Sequence, residues 1–219
     1  MPYPAGHRTE MRQAIVDSAR RLFNRHGFDN VSVKQIMAGA GLTHGGSYSY
    51  FKSKSDLHTE VLNCFFTDPN WKNCWEGVRI DMAANVAPQI IRAYLSQQHF
   101  DSVENSCPMA ALPSDVARSG KKVKRAFENV FKAMVSLLQR GSSAKDLARA
   151  QAIAALCVGG MVVARASLDH AFADNLRESC MSVALALGGW KNASKISRRG
   201  ATEYVGGLDP TGLGKRKRN

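Results

Sequence analysis

SVKQIMAGAGLTHGGSYSYFKSKSDL, which spans Ser32 to Leu57, contains two short helical patterns separated by a glycine-containing turn. Ser32 can cap the first helix, because its side-chain oxygen can accept a hydrogen bond from a free backbone N–H of the first turn. The apolar residues Val33, Ile36 and Met37 fall at i, i+3 and i+4, which places them on one helical face. This pattern predicts a short amphipathic helix immediately before the small residues of the turn.

The turn and the segment after it complete a helix-turn-helix pattern. Gly41 can adopt the left-handed backbone geometry that a tight turn requires. Thr43 is a suitable N-cap for a second helix that runs from His44 to about Tyr50. In a helix-turn-helix the second helix enters the major groove of DNA. The sequence therefore predicts a very short DNA-recognition helix.

The side chains of this segment suit contact with duplex DNA. Gly45 and Gly46 let the backbone approach a phosphate or a base edge, although each weakens the helix by roughly 1 kcal/mol relative to alanine. The tyrosines offer hydroxyls to phosphates, and Lys54 lies in the first turn of a helix that Ser53 can cap. Any of these residues alone is typical of an ordinary surface, so the prediction depends on their order. The predicted DNA-binding residues are Ser32, Lys34, Thr43, His44, Gly45, Gly46, Ser47, Tyr48, Tyr50 and Lys54.

The segment resembles the DNA-binding domain of the TetR/AcrR transcriptional regulators. The residues that match that family's pattern are Ala40, Gly41, Thr43, Gly45, Tyr48, Tyr50, Phe51, Lys54 and Leu57. Leu22-Phe23 and Gly27-Phe28 match a second phrase of the family, upstream. The chain departs from the pattern at Gly46 and at Ser47, where the family usually has a leucine or phenylalanine. A serine there predicts looser packing of the recognition helix.

The whole chain reads as all-α. We predict a helix-turn-helix DNA-binding domain over residues 1–54, a helical ligand-binding and dimerisation domain over 55–190, and a basic, disordered tail over 191–219. The predicted helices outside the helix-turn-helix are Arg8 to Gly27, Asp56 to Phe66, Pro88 to about Gln97, Met109 to Ser119, Lys121 to Arg140, Ala144 to Ala173, and a last helix that Asp174 caps and that ends at Leu187.

Charge and cysteine content limit the possible classes of protein. The formal net charge of the 219 residues is +12, of which the tail supplies +6 from eight basic and two acidic side chains. The five cysteines are scattered without metal-ligand spacing, which favours reduced thiols over a disulfide framework. We find no signal peptide and no apolar run long enough to span a bilayer, so we expect a cytoplasmic protein without a membrane partner.

The last two predicted helices are rich in small residues and are apolar on more than one face. The resemblance implies that they form a four-helix dimer interface with a second copy, and the alternative is that they are simply buried core helices. A twofold dimer would place two recognition helices about 34–36 Å apart, which implies a pseudo-palindromic operator. The predicted interface residues are Gly159, Gly160, Ala164, Val183 and Leu187.

Aromatic and sulfur-containing residues are frequent in the predicted central helices. Residues of this kind at helical spacing usually belong to the core, and that is the alternative for each one. The resemblance implies that some of them surround a small hydrophobic effector. The candidate ligand-binding residues are Trp71, Trp75, Phe100, Met109, Phe127, Phe131, Met134 and Met161.

Cys107 precedes Pro108 in a phrase, residues 105–118, that resembles one found in a branch of the family. Some members of that branch sense electrophiles or oxidants through such a cysteine. A helix N-terminus favours the thiolate, which would support that role here. The alternative is an inert residue at the start of a helix.

These observations predict a homodimeric repressor that a small hydrophobic ligand releases from its operator, with redox sensing through Cys107 as the alternative. We expect no cofactor, no metal and no catalysis, because the sequence contains no HExxH, P-loop, GxGxxG or GxSxG motif and no paired carboxylates with a histidine. An enzyme and a ligand-free structural DNA binder are the rival hypotheses.

Overall fold

This computed structural model describes residues 5–43, 47–67, 79–141 and 146–190. Every regular element in those ranges is helical. The helices are α1 (Ala5–His26), α2 (Val33–Gly39), α3 (Ser47–Tyr50), α4 (Lys54–Thr67), α5 (Val86–Tyr94), α6 (Gln97–Asp101), α7 (Pro108–Ala111), α8 (Pro113–Arg118), α9 (Lys121–Gly141), α10 (Leu147–Arg165) and α11 (His170–Leu187). We call α1–α3 and the residues up to Ser53 the head, and α4–α11 the body.

The first helix lies close to its predicted position. It begins three residues earlier than the predicted Arg8 and ends at His26, where Gly27 takes a positive φ of 77°. Ile15, Ala19 and Phe23 on one face of α1 are buried, as the apolar periodicity predicted. They form part of the continuous core that α1 shares with α2 and α4.

Four long helices organise the body. α4 and α9 pack along each other, and Leu57, Val61 and Leu62 of α4 are buried. α10 packs against both α9 and α11. The core of the body is therefore formed by these four helices, with α5 and α7 packed against α9 and α10.

The predicted helix from Met109 to Ser119 is wrong as a single element. The structure divides it into α7 and α8, which meet at Leu112 and Pro113. Proline has no backbone N–H, and its ring collides with the carbonyl four residues earlier, so a helix cannot continue through it. Pro113 instead occupies the first turn of a new helix, where that N–H would be free anyway.

The predicted helix from Ala144 to Ala173 is also wrong. α10 ends at Arg165, and the side chain of Asp169, rather than that of Asp174, accepts a hydrogen bond from the Phe172 N–H at 3.1 Å and caps α11. Asp174 lies inside α11 and pairs with Arg177 at 2.5 Å. An acid at a helix start satisfies free N–H groups, so the capping residue sets where α11 begins.

α10 has the length and composition of a membrane span. An 18-residue stretch of this helix has a mean hydropathy of 1.7, and 39% of that stretch is buried. The prediction that no apolar run is long enough to span a bilayer is therefore wrong by length and by composition. Because α10 packs against α5, α9 and α11, its hydrophobicity is also what an internal helix needs.

The head is fixed to the body by polar contacts at the end of α1. Asn24 donates to the carbonyls of Glu104 at 3.1 Å and Ser106 at 2.9 Å, both in the segment before α7. The Phe28 N–H donates to Asp115 Oδ2 of α8 at 2.7 Å. These bonds join the C-terminal end of α1 to two separate parts of the body.

His58 of α4 is fully buried at this junction. Its ring stacks on Phe28 at 4.6 Å between centroids and lies 5.4 Å from Phe23. Neither ring nitrogen has a hydrogen-bond partner. Burial lowers the pKa of His58 to about 4; Asp115 opposes this shift, and the charge of Lys54 adds to it. The imidazole is therefore neutral at pH 7.

We predict that His58→Phe flattens the pH dependence of stability between pH 6.5 and 4. Between these pH values His58 is protonated in the unfolded chain, where its pKa is about 6.5, and neutral in the folded chain. The free energy of unfolding of the natural protein should therefore fall as the pH drops, with this residue contributing up to about 1.4 kcal/mol per pH unit. Phenylalanine keeps the stack on Phe28 but cannot titrate.

Urea unfolding at closely spaced pH values measures this slope in both proteins. Equal slopes would show that His58 is not the titrating group.

Candidate nucleic-acid interface

α2 begins and ends as the sequence predicted. Ser32 Oγ accepts from the Gln35 N–H at 3.2 Å, and the Gln35 side chain accepts from the Ser32 N–H at 2.8 Å, which forms a complete capping box. Gly41 has a φ of 71°, in the left-handed region. The Leu42 N–H closes the turn on the Met37 carbonyl at 2.9 Å. The predicted turn geometry is confirmed.

α1 and α2 approach each other closely at Gly39. A Cβ atom at this position would collide with Ser18 Oγ, and that hydroxyl donates to the Ile36 carbonyl at 2.8 Å. The absence of a side chain at Gly39 therefore lets α1 hydrogen-bond directly to the backbone of α2. This contact sets the distance between the first two helices of the head.

α3 is a single turn whose carbonyls accept hydrogen bonds from α1. Arg8 donates to the Ser49 carbonyl and Arg12 to the Tyr50 carbonyl, both at 2.8 Å. Arg12 also pairs with Glu60 at 3.0 Å and lies 4.2 Å from the ring centroid of Phe51. No role in holding α3 was predicted for these two arginines. Because they are four residues apart, they lie on the same face of α1, and this spacing could have indicated a shared partner.

Lys54 makes contacts within the protein. Its Nζ donates to the Phe28 carbonyl and lies 4.2 Å from the Phe28 ring centroid. Partial burial lowers its pKa, while Asp29 and Asp115 act in the opposite direction. The N-cap before it is as predicted, because Ser53 Oγ accepts from the Asp56 N–H at 3.0 Å. A phosphate contact by Lys54 stays a prediction, and in this structure its ammonium group binds the head instead.

The other predicted DNA-binding residues have different surroundings. Ser32, Lys34 and Thr43 are exposed, and Tyr50 is half-buried against the core. Ser47 and Tyr48 belong to α3, although their side chains are outside the described part of the chain. His44, Gly45 and Gly46 fall outside the described residues altogether. The predicted DNA-binding residues that the structure describes therefore lie mainly at the start of α2 and on α3, in the head.

A crevice of about 360 Å³ lies in the head, between α2 and the start of α4. Its apolar wall includes Ile36, Met37 and Phe51, and Lys52 and Lys54 lie at its polar side.

The candidate ligand-binding residues of the body fall into two groups. Met109, Met134 and Met161 are almost completely buried in the core, which agrees with the alternative of plain core residues. The second group is half-buried at the edge of the core and comprises Phe100, Phe127 and Phe131. Trp71 and Trp75 lie outside the described residues.

Cys107 is fully buried. It precedes α7, as predicted, and its backbone N–H donates to His99 Nε2 at 3.3 Å. His99 Nδ1 lies 2.6 Å from the Tyr94 carbonyl, so Nδ1 carries the proton and Nε2 accepts. Burial lowers the pKa of His99 to about 3, which keeps the ring neutral. The position is a buried, hydrogen-bonded junction between α5, α6 and α7.

The five predicted dimer-interface residues, which lie on α10 and α11, have two different environments. A Cβ at Gly160 would lie 2.8 Å from Cys180 Sγ, and Ala164 is fully buried, so both pack α10 against α11 within one chain. A Cβ at Gly159 would meet nothing within 4 Å. Val183 and Leu187 are each 43% exposed, which is unusual for aliphatic side chains on long helices. These last three residues therefore belong to an outward-facing apolar surface.

Within the described ranges, no group of three or more His, Cys, Asp or Glu residues is arranged to hold a metal ion.

Residues 15–61 match the family model described as bacterial regulatory proteins, tetR family. Over 52 residues the chain is 46% identical to the HTH-type transcriptional regulator AcrR of Shigella flexneri, a match that covers 24% of each protein. Over 61 residues it is 34% identical to the HTH-type transcriptional repressor DhaR of a Mycobacterium species (strain GP1), covering 28% of this chain and 31% of that protein. These matches span about a quarter to a third of the curated relatives.

Solved structures resemble a larger part of the chain. The reduced form of NemR from Escherichia coli has a TM-score of 0.62 at 17% identity and covers 80% of this chain and 94% of its own. A SmeT–triclosan complex has a TM-score of 0.54, also at 17% identity, with 80% and 90% covered. Identities this low show a shared all-α fold alone. The match over residues 15–61, together with the helix-turn-helix geometry, shows that the head of this chain is similar to the tetR family of bacterial regulatory proteins.

Proposed function

We propose that this protein is a sequence-specific, DNA-binding transcriptional regulator of the bacterial cytoplasm that acts as a homodimeric repressor. The observation that carries this proposal is the family match over residues 15–61, which falls on a head with a capped α2, a left-handed turn at Gly41 and a separate α3. In this layout α3 enters the major groove and α2 lies across the backbone. No catalytic step is part of the proposal.

The head is built to present α3 rigidly. Hydrogen bonds from Arg8 and Arg12 to the Ser49 and Tyr50 carbonyls hold the C-terminal end of α3, and we propose that the face of α3 away from α1 contacts DNA. A rigid recognition element reads bases better because little conformational entropy is lost on binding. Contacts to phosphates then come from exposed cations around it, of which Lys34 and Lys52 are in the head.

Binding to a duplex selected from a random-sequence pool tests the proposal directly. We expect enrichment of a pseudo-palindromic sequence whose half-sites are about one helical turn apart, or a multiple of that distance. A pool that shows no enrichment over many rounds would contradict sequence-specific binding. It would also restore the rival hypothesis of an enzyme.

We predict that Lys34→Gln weakens binding to all duplexes alike and lowers the slope of log affinity against log salt by ~0.9 for each protomer, because one phosphate contact is lost. Fluorescence anisotropy at several salt concentrations measures both effects. Lys132→Gln, which removes the same charge from an exposed position of α9, is the matched control. If both variants behave alike, Lys34 does not contact DNA.

The dimer interface that we propose uses the exposed apolar surface of α10 and α11. Val163, Val183 and Leu187 on these helices are 53%, 43% and 43% exposed, and Gly159 adds a position where a partner helix could come close. Large exposed aliphatic groups on adjacent helices favour burial against another protein. A second copy would bury the same surface on both sides of a twofold axis.

We predict that Val183→Arg converts the protein to a monomer, because the interface would then bury a charge without a partner. Analytical ultracentrifugation measures the mass in solution. Met82→Arg is the control, since Met82 is 51% exposed but lies outside α10 and α11, and it should leave the dimer intact. A Val183→Arg variant that remains dimeric would place the interface elsewhere.

We propose further that a small hydrophobic molecule bound in the body releases the DNA. The support is that Phe100, Phe127 and Phe131 are each half-buried against the core, and that the similar SmeT structure is a complex with triclosan. A ligand shifts a conformational equilibrium only by its difference in affinity for the two states. Gel shifts of the selected duplex with and without triclosan as the probe separate an effector-responsive regulator from a ligand-free structural binder.

Redox sensing through Cys107 is the alternative mode of release. The full burial of Cys107 disfavours it, because oxidants react with exposed thiolates. We therefore predict that natural protein and Cys107→Ser lose equal fractions of DNA binding after brief treatment with hydrogen peroxide, as measured by anisotropy. A loss in the natural protein that Cys107→Ser prevents would establish the sensor instead.

A further inference from the structure

Five cations lie close together where α8 ends and α9 begins. Residues 118–125 read RSGKKVKR and contain no acid. We call the cationic residues of this stretch the basic patch. They are Arg118, Lys121, Lys122, Lys124 and Arg125.

Only part of the basic patch is neutralised within the protein. Arg118 pairs with Asp115 at 2.6 Å, and Lys122 pairs with Asp56 of α4. Lys121, Lys124 and Arg125 are exposed, and none of them forms an ion pair with another described residue. Because they are spaced i, i+3 and i+4, these three side chains share one face of α9.

The basic patch is unfavourable for the helix that contains it. The first turn of α9 has no acidic residue, although the N-terminal end of a helix has a partial positive charge. Acidic side chains stabilise this end, and cations destabilise it. The sequence of this turn is therefore not explained by the stability of α9. A bound polyanion would remove the repulsion.

The basic patch lies beside the first turn of α4, close to the head. Lys122 reaches Asp56 in the first turn of α4, next to the Ser53 cap. The pKa of Asp56 is lowered by its hydrogen bonds with Lys122 and Ser53 and by the charges of Lys122 and Lys52. Lys52 of the head and Lys122 of the body thus act on the same carboxylate. A phosphate backbone that passes the head at Lys52 would next meet α9.

We propose that the basic patch binds the phosphate backbone of DNA beside the segment that α3 reads, so that the body of the protein extends the contact with the duplex. This inference rests on the proposed function. Duplex DNA fits better than an acidic protein or an anionic membrane, because the patch adjoins the expected DNA-binding surface rather than forming a separate one. The contact is independent of base sequence, since lysine and arginine bind phosphates mainly through charge.

The test compares two triple variants of the full chain. Lys121→Gln/Lys124→Gln/Arg125→Gln removes the unpaired cations of the patch. Lys132→Gln/Arg140→Gln/Arg149→Gln removes the same number of charges from the second half of α9 and the first turn of α10. Anisotropy with a selected 40-bp duplex over a range of salt concentrations gives the slope, and hydroxyl-radical footprinting maps the protected sugars.

We expect the patch variant to lower the slope by ~0.9 for each lost phosphate contact, which is ~1 to ~3 for each protomer, and to shorten the footprint at its flanks. The selected sequence should stay the same, and the control variant should keep the natural slope and footprint. Equal slopes and footprints in the two variants would overturn this inference and leave the proposed function standing. A natural protein that binds no duplex at low salt would overturn both.

Discussion

The position of α3 depends on hydrogen bonds that another helix donates. A helix of four residues has too few internal hydrogen bonds to be stable in water. Arg8 and Arg12 of α1 supply the missing partners by donating to the Ser49 and Tyr50 carbonyls. Because these bonds hold the C-terminal end of α3, the orientation of the recognition element follows α1.

α1 is in turn held by the body. Asn24 donates to two carbonyls of the segment before α7, and the Phe28 N–H donates to Asp115 of α8. Arg165, at the end of α10, donates to Ser106 Oγ at 3.1 Å and so reaches the same segment from the other side. A continuous set of hydrogen bonds therefore links α10 through residues 104–106 to α1 and α3. In the function proposed here, movement of the body would reach the recognition element along these contacts.

The small residues of α10 lie on two different surfaces of the helix. Gly160 and Ala164 allow α11 to pack closely within the chain, while Gly159, one position away, faces outward beside exposed aliphatic side chains. Neighbouring residues on a helix are about 100° apart, so one run of small residues can serve two surfaces. α10 is apolar on more than one face because one face packs against α11 and another forms part of the exposed apolar surface.

Local chemistry was readable in the sequence. The Ser32 cap, the left-handed turn at Gly41 and the Ser53 cap each depend on residues within a few positions of one another, and the structure confirms them. The two wrong helix boundaries are also local in cause, because Pro113 and Asp169 were available signals that outweighed the apolar periodicity. Contacts between distant residues were not readable. Only the tertiary structure decided that Arg8 and Arg12 hold α3, that Lys54 turns towards Phe28, and that Cys107 is buried, since each depends on which segments the folded core brings together.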